Sequence, residues 1–159
     1  MWGLRIVILR PPISSECESL TALCLSSKAY WGYDSAFMEA CKDELTLTDT
    51  ILQTSELIVA EVDGVILGLA QLDVSPPVGV LEKLFVDGGA IGKGVGKHLF
   101  LWAVARASEL GINQFTLDGD PNAVPFYLHM GAIQIGSSPS GSIPGRLLPK
   151  FQYDVVLPD

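Results

Sequence analysis

The spacing of apolar residues in the first third of the chain predicts one strand and two helices. An apolar run at residues 4–9 is typical of a β-strand and ends at a Pro-Pro pair, which disfavours a longer strand. Residues 14–28 and 34–45 carry apolar side chains at helical spacing and begin at Ser or Asp residues that favour a helix N-terminus. Residues 46–55 are mainly polar and predict a connection without regular structure.

A β-hairpin is predicted at residues 56–74, where two aliphatic runs flank Asp63-Gly64, a pair that favours a tight hairpin turn. Residues 80–86 are rich in β-branched and aromatic side chains and predict a further strand. Five of the next ten residues, 87–96, are glycine, which predicts a loop. Residues 97–110 predict a helix, because apolar side chains return at helical spacing until the next glycine.

The last third of the chain alternates short predicted elements with turns. Strands are predicted at 113–117, 132–136 and 151–157, and a two-turn helix at 123–130 with Asn122 as its N-cap. The stretch between the last two strands is rich in Ser, Pro and Gly and predicts a loop over 137–149. With no internal repeat and no linker, the 159 residues predict a single α/β domain, residues 1–159.

Composition and charge narrow the classes of function. A net charge of −8 argues against non-specific binding to nucleic acid or to anionic membranes, and suits either a cationic acceptor or ordinary solubility. No apolar run reaches 18 residues, so no membrane span is predicted. Three cysteines and two histidines in weak spacing predict a reducing, cytoplasmic location, without disulfides or a metal site.

The glycine-rich loop is the first candidate for chemistry, since it joins a strand to a helix N-terminus. The N–H groups of a first helical turn lack intrahelical partners, and the helix dipole adds partial positive charge there. Glycines let an anion approach the backbone closely, and Lys93 and Lys97 add positive charge. The loop is therefore either a phosphate-binding site or a flexible connector.

Two common nucleotide-binding motifs do not fit this loop. The P-loop pattern requires glycine where Ile91 stands and a hydroxyl residue where His98 stands. The dinucleotide pattern requires glycine at Lys97 or Leu99. If the loop binds a phosphate, it therefore does so through a different motif.

Two segments resemble the GNAT family of acetyl-CoA-dependent N-acetyltransferases. The run Gly92-Lys93-Gly94-Val95-Gly96 is similar to the family's pyrophosphate loop, although Ile91 replaces the usual Gln or Arg. Residues 120–127, followed by Met130-Gly131-Ala132, resemble its later acetyl-CoA motif. The order of predicted elements over 4–157 also matches the family's layout. The resemblance implies a GNAT fold with a mixed central sheet flanked by helices.

The same resemblance implies acetyl-CoA as co-substrate. Its pyrophosphate is expected on backbone N–H groups of the loop, its pantetheine arm along the preceding strand, and Asn122 beside that arm. The implied contacts are Leu84, Phe85, Val86, Ile91, Gly92, Lys93, Gly94, Val95, Gly96, Lys97 and Asn122. The lysines could equally be solvated surface residues, and Asn122 could serve only as a helix cap.

Glu82 and Tyr127 are the candidate catalytic residues. Some family members carry a carboxylate on this strand as general base, and regular alternation puts Glu82 on one face with Val80 and Leu84, where burial raises a carboxyl pKa. Tyr127 matches the family's tyrosine that protonates the coenzyme A thiolate. The alternatives are an exposed or structurally paired glutamate and a tyrosine packed in the core.

The acceptor is expected at the junction of the first two helices. Tyr30, Trp31 and Tyr33 make this junction unusually aromatic, and exposed aromatic residues either bind partners or cover the core. Arg146, in the late loop, could bind an anionic group of the acceptor or be merely exposed. The apolar strand at 151–157 could pair with a second copy in a homodimer.

Two functions follow as hypotheses. The first is direct transfer of acetyl from acetyl-CoA to a primary amine of a small molecule or a peptide. The second is an inactive acyl-CoA-binding sensor or regulatory module of the same fold, because Ile91 departs from the loop's usual pattern.

Overall fold

The computed structural model describes residues 5–157, which form one seven-stranded mixed sheet with helices packed on both faces. The helices are α1 (Cys17–Ala29), α2 (Ser35–Leu45), α3 (Asp49–Thr54), α4 (Val95–Glu109) and α5 (Val124–His129). The strands are β1 (Ile8–Arg10), β2 (Glu56–Val62), β3 (Val65–Ser75), β4 (Val78–Val86), β5 (Gln114–Asp118), β6 (Ile133–Pro139) and β7 (Leu147–Asp154). The predicted first strand began at Leu4, which lies outside the described residues. None of the described helices is long and apolar enough to cross a membrane.

The strand order is β1-β2-β3-β4-β5-β7-β6, and every pair is antiparallel except β4 with β5. That parallel pair is short, because only Val78–Val80 meet Gln114–Thr116. β4 then runs on for six residues along β3 alone. The sheet therefore opens between the later part of β4 and the end of β5.

Helices cover both faces of the sheet, which explains why the apolar run of β2 is continuous. Ile58 and Ala60 belong to the core beneath α4, whereas Leu57 and Val59 belong to the core beneath α1 and α2. Successive side chains of a strand point to opposite faces, so a strand buried on both sides needs apolar residues at every position.

The hairpin prediction is confirmed in its turn as well as its strands. Asp63 and Gly64 both have positive φ, 51° and 80°, as a type I′ turn requires. Asp tolerates this conformation better than most residues, and glycine adopts it without steric cost.

Two connections contain more regular structure than the sequence suggested. Residues 46–55 were expected to be irregular, but they include α3, which begins where the Thr48 side chain accepts a hydrogen bond from the Ile51 N–H. The loop predicted at 137–149 shrinks to 140–146, because β6 and β7 extend into it as a hairpin.

The prediction that the last strand pairs across a dimer was wrong. β7 lies inside the sheet, between β5 and β6, so the backbone groups of its two edges already have partners in the same chain. β6 is the edge strand at this end of the sheet.

Gly68 on β3 is a position where an added methyl group should be costly. A Cβ there would lie 2.9 Å from Leu99 Cδ1 and 2.9 Å from the Phe85 carbonyl oxygen, where α4 meets the sheet. We expect Gly68→Ala to lower the free energy of unfolding by about 1–3 kcal/mol through overpacking. Denaturant unfolding measures this. Gly89→Ala is the matched control, because its Cβ would meet only the tip of the Asp87 side chain, so its effect should stay within about 0.5 kcal/mol.

Candidate active site

A cleft of about 690 Å³ opens where β4 and β5 separate. β4 forms one wall from Val80 to Val86, and the opposite wall begins at the end of β5. α1, α2, the glycine loop, α5 and the β6–β7 loop complete it. The predicted site residues that line it are Glu82, Leu84, Phe85, Val86, Ile91, Gly92, Gly94, Gly96, Lys97, Asn122, Tyr127 and Trp31. One cleft thus collects residues from both segments that resemble the acetyltransferase motifs.

The glycine loop meets the cleft at the N-terminus of α4. Gly92 and Gly94 have φ of 80° and 89°, a conformation that other residues adopt only with strain. A Cβ on either glycine would meet no atom within 4 Å, so the loop surface is open. The helix begins at Val95, with Gly94 as its N-cap, two residues earlier than the sequence suggested.

Hydrogen bonds within the loop show which of its backbone N–H groups are already engaged. The N–H groups of Ile91 and Lys93 donate hydrogen bonds to the carbonyl oxygens of Gly88 and Ala90, at 3.4 and 3.2 Å respectively. The first N–H groups of α4, beginning at Val95, lack helical partners by position. An anion at the loop would therefore meet the helix N-terminus and its Lys97.

Val95 and Lys93 do not line the cleft. The Val95 side chain is fully buried against the sheet, so only its backbone could serve a ligand. Lys93 lies on the exposed outer part of the loop. Of the two predicted lysines, Lys97 is the one that lines the cleft.

A β-bulge in β4 overturns the predicted arrangement of its side chains. Gln71 of β3 pairs with Lys83, but Leu72 pairs with Leu81, so Glu82 is the extra residue. Leu84 therefore packs into the same core as Leu81, on the α4 face. The expectation that Glu82 and Leu84 share one face by regular alternation was wrong, because a bulge resets the alternation.

Glu82 lies in an acidic part of the cleft. Glu82 is an exposed residue at the surface of the cleft, yet the neighbouring cleft walls displace enough water from its carboxyl to raise the pKa by burial. The negative charges of Asp73, Asp118 and Glu44 raise the pKa further, and the charge of Lys83 lowers it. Among the described residues, none of these four carboxylates forms an ion pair within 4.0 Å. A cationic group entering the cleft would relieve this repulsion.

Tyr127 is held by an aromatic core but keeps its hydroxyl free. Only 6% of the residue is exposed, and its ring packs against Phe100, Phe126 and Phe151. Its hydroxyl donates no hydrogen bond to any described residue, whereas every fully buried side-chain polar atom in residues 5–157 has a partner. The hydroxyl is therefore reached from the cleft. Burial raises the pKa of this phenol, and the charge of Asp120 raises it further.

Asn122 does not cap the helix, contrary to the sequence-based prediction. No side chain caps α5, whose N-cap is Ala123; the Asp120 side chain instead caps the 3₁₀ turn before it, accepting the Asn122 N–H at 2.9 Å. Because a 3₁₀ turn precedes the helix, the capping side chain lies two positions earlier than the sequence suggested. The Asn122 side chain instead donates to Asp120 at 2.8 Å on the cleft wall.

The three aromatic residues of the α1–α2 junction have different surroundings. Trp31 lines the cleft. Tyr30 covers Gly88, where a Cβ would overlap its ring. Tyr33 stacks on Phe37 with ring centroids 4.0 Å apart. Burial, followed by a hydrogen bond to Asp120, raises the pKa of Tyr33 to about 12.

Several charged residues that line the cleft were not predicted as site residues from the sequence. Lys28, Glu44, Asp118 and Asp120 lie on its walls, and so does Arg146, which the sequence indicated only as a possible anion contact. They come from α1, α2, the end of β5 and the β6–β7 loop. No local pattern marks residues that the fold brings together from such distances along the chain.

Comparison with models of known protein families finds a match over most of the chain. A family model described as an acetyltransferase (GNAT) domain matches residues 22–140. No curated protein sequence matches the chain significantly.

Solved structures share the fold at low sequence identity. A GCN5-related N-acetyltransferase from Rhodopseudomonas palustris is 22% identical, with a TM-score of 0.78 over 93% of this chain and 95% of that one. The PaiA N-acetyltransferase from Thermoplasma acidophilum, solved with coenzyme A, is 17% identical, with a TM-score of 0.71 over 93% and 99%. YncA of Salmonella typhimurium, a putative acetyltransferase solved with acetyl-CoA, is 17% identical, with a TM-score of 0.66 over 97% and 98%.

Proposed function

Since the chain belongs to the GNAT acetyltransferase family, we propose that it transfers acetyl from acetyl-CoA to a primary amine of a small-molecule or peptide acceptor. The observation that carries the proposal is the cleft itself. It joins an open glycine loop at a helix N-terminus to a carboxylate and a free tyrosine hydroxyl, Glu82 and Tyr127. These are the groups that acetyl transfer to an amine requires.

The residues present suit a coenzyme A ligand. The free N–H groups at the start of α4 and the Lys97 ammonium can hold the pyrophosphate. The later part of β4 has no strand partner on its β5 side among the described residues, so Leu84–Val86 can hold the pantetheine arm as an added strand would be held. When bound, acetyl-CoA supplies the acetyl thioester and a thiolate leaving group.

Glu82 acts as the general base for the acceptor. An alkyl ammonium has a pKa near that of lysine, about 10.4, so about one molecule in 10³ is neutral at pH 7. Generating the neutral amine without help costs about 4 kcal/mol. A carboxylate whose pKa is raised, as that of Glu82 is, takes the proton more readily than an ordinary glutamate, directly or through one water.

Tyr127 acts as the general acid. As the amine nitrogen bonds to the acetyl carbon, the carbon–sulfur bond breaks, and the Tyr127 hydroxyl gives its proton to the departing sulfur. A backbone N–H of β4 can stabilise the charge that develops on the acetyl oxygen. The acceptor nitrogen releases its remaining surplus proton to solvent through the open cleft, and the phenol regains a proton from the same solvent.

Calorimetric titration with acetyl-CoA tests the proposal, with dephospho-CoA as the control ligand. We expect micromolar binding that weakens when the 3′-phosphate is missing, followed by acetylation in a screen of amines. Binding without turnover of any amine would favour the sensor hypothesis. Absence of binding at millimolar acetyl-CoA would show that the glycine loop is only a connector.

Gly94→Ala should weaken acetyl-CoA binding about tenfold. An alanine at φ 89° strains the backbone by about 1–2 kcal/mol and displaces the first N–H groups of α4. Titration calorimetry measures the change in Kd. Gly111→Ala is the matched control, because Gly111 has φ 75°, equally open space and a position at the other end of α4. If both variants bind acetyl-CoA as tightly as the wild type, the loop does not hold the coenzyme.

A further inference from the structure

Two cations and one carboxylate meet on the wall of the cleft, in a group that we call the cationic cluster: Lys28, Asp120 and Arg146. Lys28 Nζ lies 3.0 Å from Oδ2 of Asp120, and Arg146 Nη2 lies 3.7 Å from the same oxygen. No other carboxylate among residues 5–157 comes within 4.0 Å of either cation. With two positive charges and one negative charge, the cluster keeps an excess of one positive charge.

This excess charge is partly withdrawn from water, because the side chains of Lys28 and Arg146 are only 13% and 17% exposed. Asp120 stays ionised. Burial acts to raise the pKa of its carboxyl, but hydrogen bonds from Asn122 and Tyr33 and the charge of Lys28 outweigh burial, and the pKa is lowered. A partly buried charge without a counter-charge is costly, so an anion that enters the cleft would be stabilised at the cluster.

Arg146 is held in place while part of its guanidinium group stays available. Nη2 donates to the Tyr33 hydroxyl at 2.8 Å, and Cζ lies 5.1 and 4.8 Å from the ring centroids of Tyr33 and Phe37. The Arg146 N–H donates to the Ile143 carbonyl oxygen at 3.2 Å, which fixes the β6–β7 loop at this residue.

The remaining nitrogens of Arg146, Nε and Nη1, donate to no described residue. Every fully buried side-chain polar atom in the part of the chain that the structure describes has a partner, so both nitrogens remain accessible. A guanidinium group that is already fixed loses little conformational entropy when it binds a carboxylate. Because Arg146 lines the cleft, a ligand in the cleft can use these donors.

The part of the cleft around Glu82 has the opposite charge. Glu82, Asp118 and Glu44 line it, and the charges of the other two act on the Glu82 carboxyl. The amine of the acceptor is expected here, because a general base must reach the proton that it removes. An acceptor with an amine and a carboxylate would match both parts of the cleft, whereas a diamine would match only the acidic part.

We propose that the acceptor is an amine that carries a carboxylate, and that Arg146, with Lys28 beside it, binds this carboxylate and determines the specificity. This inference rests on the proposed acetyltransferase function. Binding of the carboxylate at the cationic cluster would orient the acceptor, with its amine toward Glu82. A free amino acid and a peptide whose first residue is acidic share this chemistry.

The test measures kcat/KM for matched pairs of acceptors at saturating acetyl-CoA. Each pair is an L-amino acid and its C-terminal carboxamide, which has nearly the same shape but no negative charge. We expect the wild type to prefer the acid by about 10–100-fold, the value of a hydrogen bond between charged groups. The amine of the carboxamide is the weaker base and is more often neutral, so amine basicity alone would give the opposite preference. Tripeptide amides that begin with Asp or with Asn form the corresponding pair for a peptide acceptor.

Arg146→Gln should bring the two values of each pair within about three-fold of each other. A general folding defect would lower both values together and leave their ratio unchanged. Lys150→Gln is the matched control, because it removes a cation of β7 that does not line the cleft, and it should keep the wild-type ratio.

The comparison of acids with carboxamides in the wild type needs no variant to fold. Equal values for the two members of every pair, faster acetylation of 1,4-diaminobutane than of any carboxylate-bearing acceptor, or an unchanged ratio in Arg146→Gln would overturn the inference and leave the proposed function standing. Failure of the wild type to bind acetyl-CoA, or to acetylate any amine, would instead remove the proposed function.

Discussion

Tyr127→Phe is expected to lower kcat by about 10²–10⁴-fold, the range that a positioned proton donor contributes. The variant removes one hydroxyl from a ring that is 6% exposed and packed on three aromatic neighbours, so the fold should be kept. Coenzyme A thiolate would then leave without a proton. Steady-state kinetics should show the loss in kcat, while calorimetry should show an unchanged Kd for acetyl-CoA, because the hydroxyl takes part only as the sulfur departs.

Tyr153→Phe is the control for loss of a hydroxyl from the same aromatic core. Tyr153 packs on Phe100 at 5.2 Å and on Phe115 at 5.4 Å between ring centroids, and it does not line the cleft. Its kcat should match that of the wild type. A Tyr127→Phe enzyme with wild-type kcat would exclude Tyr127 as the acid and would direct attention to water in the cleft as the proton source.

The features that the sequence predicted well are those with local physical causes. The hairpin was predictable because Asp63-Gly64 can both adopt positive φ. The loop and α4 were predictable because five glycines interrupt a strand before an apolar helical pattern returns. α3 was missed because its six residues are too few for a periodic pattern.

The face on which Glu82 lies depends on its neighbour strand. The bulge exists only in the pairing of β4 with β3, where Gln71 and Leu72 oppose residues two apart along β4. A single strand carries little signal for such an insertion, so regular alternation was the natural prediction. The sequence indicated that Glu82 lies near the cleft, but it did not indicate that the charges of Asp73, Asp118 and Glu44 act on its carboxyl.

The side chains that surround Asp120 in the cleft come from positions far apart along the chain. Lys28 and Asp120 are 92 positions apart, and Tyr33 and Arg146 are 113 apart. Each has an ordinary local role in the sequence, at a helix end, a turn or a loop. Their proximity follows only from the sheet order, which brings α1, the end of β5 and the β6–β7 loop to one cleft.

Glu82→Gln should lower kcat/KM by about 10²-fold, because the amide retains the shape of the side chain but cannot accept the ammonium proton. The pH profile gives the sharper test. Partial burial and three neighbouring carboxylates raise the pKa of Glu82, so the basic form is lost at higher pH than for an ordinary glutamate. The acid limb of kcat/KM in the wild type should therefore lie above the usual glutamate range, and Glu82→Gln should abolish it.

Asp118→Asn provides the matched variant for this electrostatic argument. It removes one of the negative charges that raise the Glu82 pKa while leaving the Glu82 carboxyl in place. Glu82 should then ionise at lower pH, and the acid limb of kcat/KM should move in the same direction. An acid limb that stays fixed in Asp118→Asn and persists in Glu82→Gln would belong to another group, and Glu82 could not be the base. A limb that moves with Asp118 and disappears with Glu82 would tie proton removal from the acceptor to the acidic wall formed where β4 and β5 separate.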